Sequence, residues 1–566
     1  MLKGIRDSVI SKNTLQLVFL AAVVGIISSF IAIGFRYLLF FFQNMFFYQE
    51  ISGEEVSPVD NTLGLWVIIV PIIGGLLVGL ITKYAASEAK GHGVPEVMEA
   101  MTLHGGKMRP RIVLFKALAS ALSIGSGGSV GREGPIIQVG AGAGSTIGQI
   151  LNLDRDQVRI LVGCGAAGGI AATFNTPVAG IIFALEIILV ELKSRSFISL
   201  VIAAFFATTV SRIFLGSTPA FEIPAYSFES LYEIIFYLGL GIIAGLVSIL
   251  LIKLVYYTEH LFSQIRIPHI TKPALGGLIV GCIGFFLPQV FGYGYDTIAK
   301  LLNQEIILVV IVLLLVFKII AFVVTIGSGA SGGIFSPSLF IGAALGAAYG
   351  WILNTPFPHI TAPIGAYALV GMAAVFAAVS RATFTAIIII FELTLDYNII
   401  LPLMFSCVIA DLISWSFAKD TIYTKKLSLR GIKVTHDMEA NMLDTNKVGE
   451  IMALTYGISL DEKIKDIRTR FIEGNYNTTC AIDDNHMLQG IITLKELDKI
   501  SPEERNKSIR NYLKEPFDVL YPNETLSEAL FKMTKHNVDT LPVVESKDNY
   551  EVLGQLTRND ILNKMQ

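Results

Sequence analysis

Charged residues and cysteines are both scarce in this sequence. Only 16% of its 566 residues are Asp, Glu, Lys or Arg, and the formal net charge is −3. Because a protein that binds nucleic acid needs a basic patch, this composition excludes nucleic acid as a partner. The cysteines are widely spaced and three of them lie in apolar runs, which favours single buried thiols over a disulfide framework or a metal site. They are Cys164, Cys282, Cys407 and Cys480.

Motifs of common enzymes are also missing. The chain has no H-E-x-x-H zinc motif and no G-x-x-x-x-G-K-S/T phosphate loop. The glycines in residues 125–131 lack the spacing of a dinucleotide-binding fingerprint. We therefore predict that the protein is not an enzyme and that it requires no cofactor and no metal.

Apolar residues make up 53% of the chain. Residues 14–423 are a succession of apolar runs broken by Gly and Pro, and many are shorter than the ~20 residues of a perpendicular span. This pattern predicts a multi-pass, all-α domain of short, tilted helices in a lipid bilayer. Basic residues flank its two ends, so residues 1–13 and the chain after the last span are predicted to be cytoplasmic. They are Lys3, Arg6, Lys12, Lys425, Lys426, Arg430 and Lys433. Compact loops and the lack of a transit peptide favour a bacterial inner membrane.

Two glycine-rich segments share the pattern G-S-G-x-S-x-G-x-x-x-P, at residues 125–135 and 327–337, which are 202 positions apart. Glycine permits a sharp turn close to a ligand, and proline suits the first turn of a helix. Each segment therefore predicts a helix break followed by a helix start. Free N–H groups and the helix dipole at such a start favour an anion, and broken helices of repeated transporters meet near the bilayer midplane. We predict an anion pathway there.

The same offset of 202 relates residues 71–79 to 273–281, which predicts two repeats, about 63–260 and 265–420. After Tyr423 the composition changes to a linker, 424–444, and a soluble α/β domain, 445–566. That domain is also duplicated, about 445–500 and 507–566. Each copy is predicted to run helix, strand, strand, helix, and in the second copy these are residues 527–536, 540–544, 552–556 and 559–565.

Four motifs in a fixed order resemble the CLC family of chloride channels and chloride/proton antiporters. They are Gly91-His-Gly-Val-Pro95, Gly131-Arg-Glu-Gly-Pro135, Gly333-Ile-Phe-Ser-Pro337 and the isolated Tyr423. The tail resembles a tandem CBS domain. The resemblance implies an inverted-repeat protomer that forms a homodimer, with a separate pore in each subunit.

By this resemblance, the backbone N–H groups of Ile334 and Phe335 hold a central chloride ion, and the side chains of His92 and Tyr423 complete its shell. The resemblance also makes Glu133 the gating glutamate, which blocks the anion site when ionised and swings away when protonated. The alternative for Glu133 is a salt bridge with Arg132, although adjacent residues seldom face one another on a helix. The remaining residues predicted to line the anion site belong to the same motifs. They are Gly93, Arg132 and Gly134.

Two positions depart from the family pattern. His92 stands where the family usually has Ser, so we predict altered anion selectivity or pH dependence; the alternative is a histidine that caps a helix or packs beside the pathway. Ile187 stands where proton-coupled members carry an internal acid, next to Glu186, and the candidate proton-pathway residues are Glu133, Glu186 and Glu191. Glu191, four residues further, would share that helix face about 6 Å along the axis and could replace the acid, or it is simply a solvated residue.

In the tail, Thr557 and Asp560 resemble the CBS segment that binds the ribose and phosphate of an adenine nucleotide, and Thr493 is its counterpart in the first copy. The alternative is a ligand-free dimer contact. For the whole chain we predict chloride transport, with a voltage- or pH-gated channel slightly favoured. A chloride/proton antiporter that uses Glu133 and a non-standard proton route is the alternative; a fluoride exporter or a nucleotide-sensing membrane protein is less favoured.

Overall fold

The computed structural model describes residues 12–190, 194–217, 232–432, 443, 446–453, 457–474, 478–513, 518–536, 538–546 and 549–565. The chain divides into two compact units, Met1–Val434 and Thr435–Gln566. The two units are described separately below.

In the described part of the first unit, helices joined by loops make up the regular secondary structure. Its α-helices are α1 (Lys12–Gln43), α2 (Ile69–Tyr84), α3 (Val94–Leu103), α4 (Arg111–Gly125), α5 (Glu133–Ile150), α6 (Arg155–Phe174), α7 (Pro177–Phe183), α8 (Ser194–Leu215), α9 (Glu233–Gln264), α10 (Lys272–Phe286), α11 (Tyr295–Leu302), α12 (Leu308–Gly327), α13 (Phe335–Asn354), α14 (Ile364–Ser380), α15 (Thr383–Thr394), α16 (Ile400–Phe417) and α17 (Thr424–Leu429).

Among the described residues, eight helices are long and apolar enough to cross a membrane. Apolar helices of 10–17 residues accompany them, as the broken apolar runs predict; they are Pro177–Leu189, Lys272–Phe286, Ile364–Ser380 and Thr383–Thr394. The two glycine-rich segments end α4 and α12 and begin α5 and α13, so both predicted helix starts are present. The all-α membrane fold is confirmed.

Glycines let equivalent helices of the two repeats approach one another closely. A Cβ on Gly75 of α2 would lie 2.3 Å from the carbonyl oxygen of Pro273, and one on Gly277 of α10 would lie 2.1 Å from that of Pro71. These contacts are reciprocal and exclude any side chain. Small residues at such crossings are typical of membrane helices, which are held together by close packing.

The second unit contains two small sheets. Its helices and strands are α18 (Val448–Ile451), β1 (Ile458–Ser459), α19 (Ile464–Gly474), β2 (Thr478–Ile482), β3 (Leu488–Thr493), α20 (Leu494–Leu497), α21 (Leu526–His536), β4 (Thr540–Val544), β5 (Val552–Thr557) and α22 (Arg558–Met565). Strand β1 is parallel to β2, while β2 pairs with β3 and β4 with β5 in antiparallel fashion. The helix, strand, strand, helix order predicted for the second copy is confirmed to within one residue at each boundary.

Candidate functional site

Three glycine loops meet inside the first unit. Gly131 and Gly333, which precede α5 and α13, exchange backbone hydrogen bonds of 2.8 and 2.6 Å. The loop before α3 joins them, because the N–H of Gly91 donates to Ala330 O at 3.1 Å and its carbonyl accepts from Gly332 N at 3.3 Å. The structure therefore brings both predicted helix starts and the first motif to one point.

Only glycine fits at the centre of this junction. A Cβ on Gly134 would lie 2.3 Å from the carbonyl oxygen of His92 and 2.8 Å from the Cα of Gly333. Gly93 has a φ of 91°, and a Cβ there would lie 2.9 Å from Gly134 O. Because backbone meets backbone here, a side chain at either position would prevent the three loops from approaching this closely.

The fully buried carboxylate of Glu133 points from α5 to the N-terminus of α13 in the other repeat. Its Oε1 accepts a hydrogen bond from the Tyr295 hydroxyl at 2.6 Å and a short one from Ser336 Oγ. Its Oε2 accepts from the backbone N–H of Ser336 at 3.3 Å. A negative charge is stabilised at this position by the free N–H groups and dipole of a 20-residue helix.

Arg132 does not pair with its neighbour Glu133 among the ion pairs of the described residues. Its guanidinium lies over two aromatic rings, 5.1 Å from the centre of Tyr293 and 5.2 Å from that of Tyr295. The cation is thus held beside the site by cation–π contacts.

The four residues predicted to hold a central anion are all buried. Ile334 and Phe335 start α13, and the Phe335 ring packs 4.1 Å from that of Phe376. The rings of His92 and Tyr423 meet edge to face, with centroids 6.5 Å apart. His92 Nδ1 has no hydrogen-bond partner among the described residues, which leaves it available to a ligand.

A cavity of about 420 Å³ reaches this site from one end, and we call it the acidic cavity. It is lined by Tyr293 and Tyr295 together with charged residues of mostly negative sign. These are Glu55, Asp60, Asp296 and Lys300.

A second cavity, of about 490 Å³, lies next to α3 and is called the basic cavity. It is lined by five Lys or Arg residues and four acids, which are Lys90, Lys107, Arg109, Lys426 and Arg430, with Glu88, Glu96, Glu99 and Glu259. The helical stretch Gly64–Tyr84 joins two segments that line different cavities. Residues 55–60 before it line the acidic cavity, and residues 87, 88 and 90 after it line the basic cavity. Its 21 residues span roughly 30 Å, so the cavities open at opposite ends of the unit.

Glu186 caps a helix of the opposite repeat. Its carboxylate accepts hydrogen bonds from Phe384 N at 3.1 Å, Thr385 N at 2.9 Å and Thr385 Oγ at 2.7 Å, at the start of α15. Glu392 does the same for α7, accepting from Val178 N at 3.1 Å and Ala179 N at 2.7 Å. Each of the two acids thus caps a helix of the opposite repeat.

The other two positions considered for proton movement differ from Glu186. Ile187 is buried in the π-helical stretch Ala184–Leu189, where five of the six residues are buried apolar side chains. Glu191 lies outside the described residues.

The two copies in the second unit contain the same kind of helix cap. The Asp560 carboxylate accepts from Thr557 N at 2.8 Å and Thr557 Oγ at 2.7 Å. In the first copy, Glu496 accepts from Thr493 N at 3.1 Å and Thr493 Oγ at 2.9 Å. To bind a ribose, the Asp560 carboxylate would have to break its hydrogen bonds with Thr557 or accept the ribose hydroxyls in addition to them.

Sequence reasoning missed Tyr295, Ser336 and two buried lysines of the site. Lys116 Nζ donates to Ala89 O and Gly91 O at 3.0 and 2.7 Å, and Lys318 Nζ donates to Val290 O and Gly292 O, both at 2.9 Å. The sequence did hold a signal, since the lysines are 202 positions apart. The loop Gly292-Tyr-Gly-Tyr295 likewise matches Gly91-His-Gly-Val94 at an offset of 201.

Comparison with known proteins gave matches over both units. A family model described as voltage gated chloride channel matches residues 74–415, and a CBS domain model matches residues 509–566. A ClcB-like chloride channel protein of Ralstonia nicotianae is 34% identical over 414 residues, which cover 72% of this chain and 96% of the relative. The voltage-gated ClC-type chloride channel ClcB of Escherichia coli is 32% identical over 410 residues, covering 71% and 97%.

Solved structures are similar as well. A slow cyanobacterial Cl⁻/H⁺ antiporter has a TM-score of 0.65 and 25% identity, covering 73% of this chain and 97% of the other. A eukaryotic CLC transporter has a TM-score of 0.65 at 19% identity and covers 96% of this chain and 98% of the other. At that lower identity the likeness shows the fold alone.

Proposed function

The chain belongs to the voltage-gated chloride channel family, and from this we propose that it moves chloride across a membrane along a pathway gated by Glu133. The observation that carries the proposal is the position of the Glu133 carboxylate. An anionic side chain occupies the start of α13, where it accepts hydrogen bonds from backbone and hydroxyl donors. Donors that hold a carboxylate suit a chloride ion equally well.

In the proposed pathway, protonation of Glu133 releases it from these donors and lets chloride take its place. The central ion would be bound by the N–H groups of Ile334 and Phe335. The side chains of His92, whose Nδ1 has no hydrogen-bond partner among the described residues, and Tyr423 would lie beside it. These donors are weak and mostly uncharged, as rapid release of an ion requires. The basic cavity would form one entrance of this pathway.

A channel is favoured over an antiporter because of Ile187, an apolar residue in an apolar stretch at the position that would relay protons. The antiporter remains the second candidate, since a similar solved structure is described as a Cl⁻/H⁺ antiporter. A fluoride/proton antiporter of 24% identity has a TM-score of 0.59, and that likeness concerns the fold only.

Further features belong to the same proposal. The protein would be a homodimer in a bacterial inner membrane, with both termini in the cytoplasm and a voltage- or pH-dependent gate. The basic cavity, which includes Lys426 and Arg430 near the end of the first unit, would face the cytoplasm, in line with the preference of Lys and Arg for that side. An adenine nucleotide at Thr557, Asp560 and Thr493 would make the CBS pair a regulator.

Chloride efflux from reconstituted liposomes, recorded together with external pH, tests the proposal. Wild-type protein should release chloride, and Glu133→Ala should remove the dependence of efflux on pH. Chloride flux without linked protons identifies a channel, whereas proton movement against its gradient that is driven by chloride identifies an antiporter. Absence of chloride flux in the wild type would refute the proposed function.

A further inference from the structure

A tyrosine separates the Glu133 carboxylate from the acidic cavity. Tyr295, the first residue of α11, lines that cavity and donates its hydroxyl to Glu133 Oε1 at 2.6 Å. Glu133 itself is 0% exposed and is not among the lining residues of the cavity. The Tyr295 side chain therefore lies between Glu133, the proposed gate, and the acidic cavity.

The loop that presents Tyr295 is firmly held. Lys318, buried on α12, donates to the carbonyls of Val290 and Gly292 at 2.9 Å each. Gly294 has a φ of 80°, and a Cβ there would lie 2.6 Å from the ring of Phe340. These contacts fix the backbone from which the tyrosine side chain extends.

The Tyr295 ring is also fixed by its neighbours. The guanidinium of Arg132 lies 5.2 Å from its centre, and the Tyr293 ring meets it edge on at 4.8 Å. Ser336 Oγ, the second hydroxyl on the carboxylate, is 3.4 Å from the Tyr295 hydroxyl. The phenol is thus preorganised to bind an ionised Glu133.

We propose that Tyr295 is a positioning residue that latches the gate closed: its O–H stabilises the ionised Glu133 at the start of α13, and its ring covers the route to the acidic cavity. The inference rests on the proposed function. A hydrogen bond to a charged group shifts the balance between the ionised and neutral forms by roughly tenfold or more. Opening the gate therefore requires this bond to break.

Other charged and titratable side chains also influence Glu133. Among the described residues, they do so through their charge and not through a hydrogen bond to its carboxylate. Arg132 and Tyr423 interact with it electrostatically, as Tyr295 does. Glu55 and Asp296 lie in the acidic cavity with Tyr293. Removing the Tyr295 hydroxyl therefore removes the hydrogen bond to Glu133 and leaves these other charged groups in place.

The test is chloride efflux from liposomes over a series of external pH values. Tyr295→Phe keeps the ring and removes only the O–H, so protonated Glu133 is favoured. We expect the pH of half-maximal efflux to rise by about one unit. Tyr293→Phe is the matched control, because its ring also lies beside Arg132, and it should keep the wild-type midpoint.

The same substitution in a Glu133→Gln background supplies a second measurement. With no charge left to stabilise, Tyr295→Phe should there change efflux less than about twofold. A wild-type midpoint in Tyr295→Phe would refute the latch, as would lower efflux at every pH, because removing a latch favours the open gate. Wild-type protein that carries no chloride would instead overturn the proposed function and the latch with it.

Discussion

Substitution of Glu186 by Gln distinguishes a helix cap from a proton carrier. The carboxylate accepts three hydrogen bonds at the first turn of α15. Gln keeps the size of the side chain but removes the charge. Charge at a helix N-terminus contributes about 0.3–2 kcal/mol, and hydrogen bonds to a charged acceptor exceed neutral ones by about 1 kcal/mol. We therefore expect a loss of about 2 kcal/mol in the free energy of unfolding.

Thermal unfolding of the purified protein is monitored by intrinsic fluorescence. Chloride efflux and proton movement are measured separately in liposomes. Glu392→Gln is the matched control, because Glu392 caps α7 in the other repeat with two backbone hydrogen bonds. Both variants should lower the unfolding temperature and leave the pH profile of efflux unchanged. If the wild type moves protons with chloride, loss of that movement in Glu186→Gln alone, with an unchanged unfolding temperature, would refute the cap and assign proton transfer to this residue.

Three further predictions concern other parts of the chain. Gly134→Ala should abolish chloride efflux or folding, checked by flux assay and size-exclusion chromatography, because its Cβ would lie 2.3 Å from His92 O. His92→Ser should change the chloride-to-nitrate selectivity or the pH profile of efflux, and identical behaviour would remove His92 from the pathway. In the second unit, the backbone N–H of Met487 lowers the pKa of Asp483, so the stability of this turn is present above the usual pKa and is lost as the pH falls through the lower folded value. Asp483→Ala should therefore accelerate hydrogen exchange at Asn485 and Met487 at neutral pH, and unchanged exchange would contradict the role of the carboxylate.

Local patterns predicted the kind of element in the first unit and the element bounds in the second copy of the tail. Apolar runs broken by Gly and Pro predicted short membrane helices, and alternating short apolar segments predicted β4 and β5 almost to the residue. The offset of 202 predicted that two glycine-rich helix starts are equivalent. These features depend on residues close together in the chain, so periodicity and glycine placement express them directly.

The partners of individual side chains did not follow from local patterns. Glu186 was considered for proton movement, yet its carboxylate contacts Phe384 and Thr385, almost two hundred residues away. The salt bridge considered for Arg132 is replaced by stacking on Tyr293 and Tyr295. Each of these contacts joins one repeat to the other.

The sequence by itself determined that the chain enters a membrane, that it is built from two repeats and a duplicated tail, and that Glu133 begins a helix beside a glycine turn. Only the tertiary structure decided which groups hydrogen-bond to that carboxylate, because Tyr295 and Ser336 reach it from the starts of α11 and α13. The physical reason is that helix starts and turns arise from nearby residues, whereas hydrogen bonds across a repeat interface require both halves to be folded.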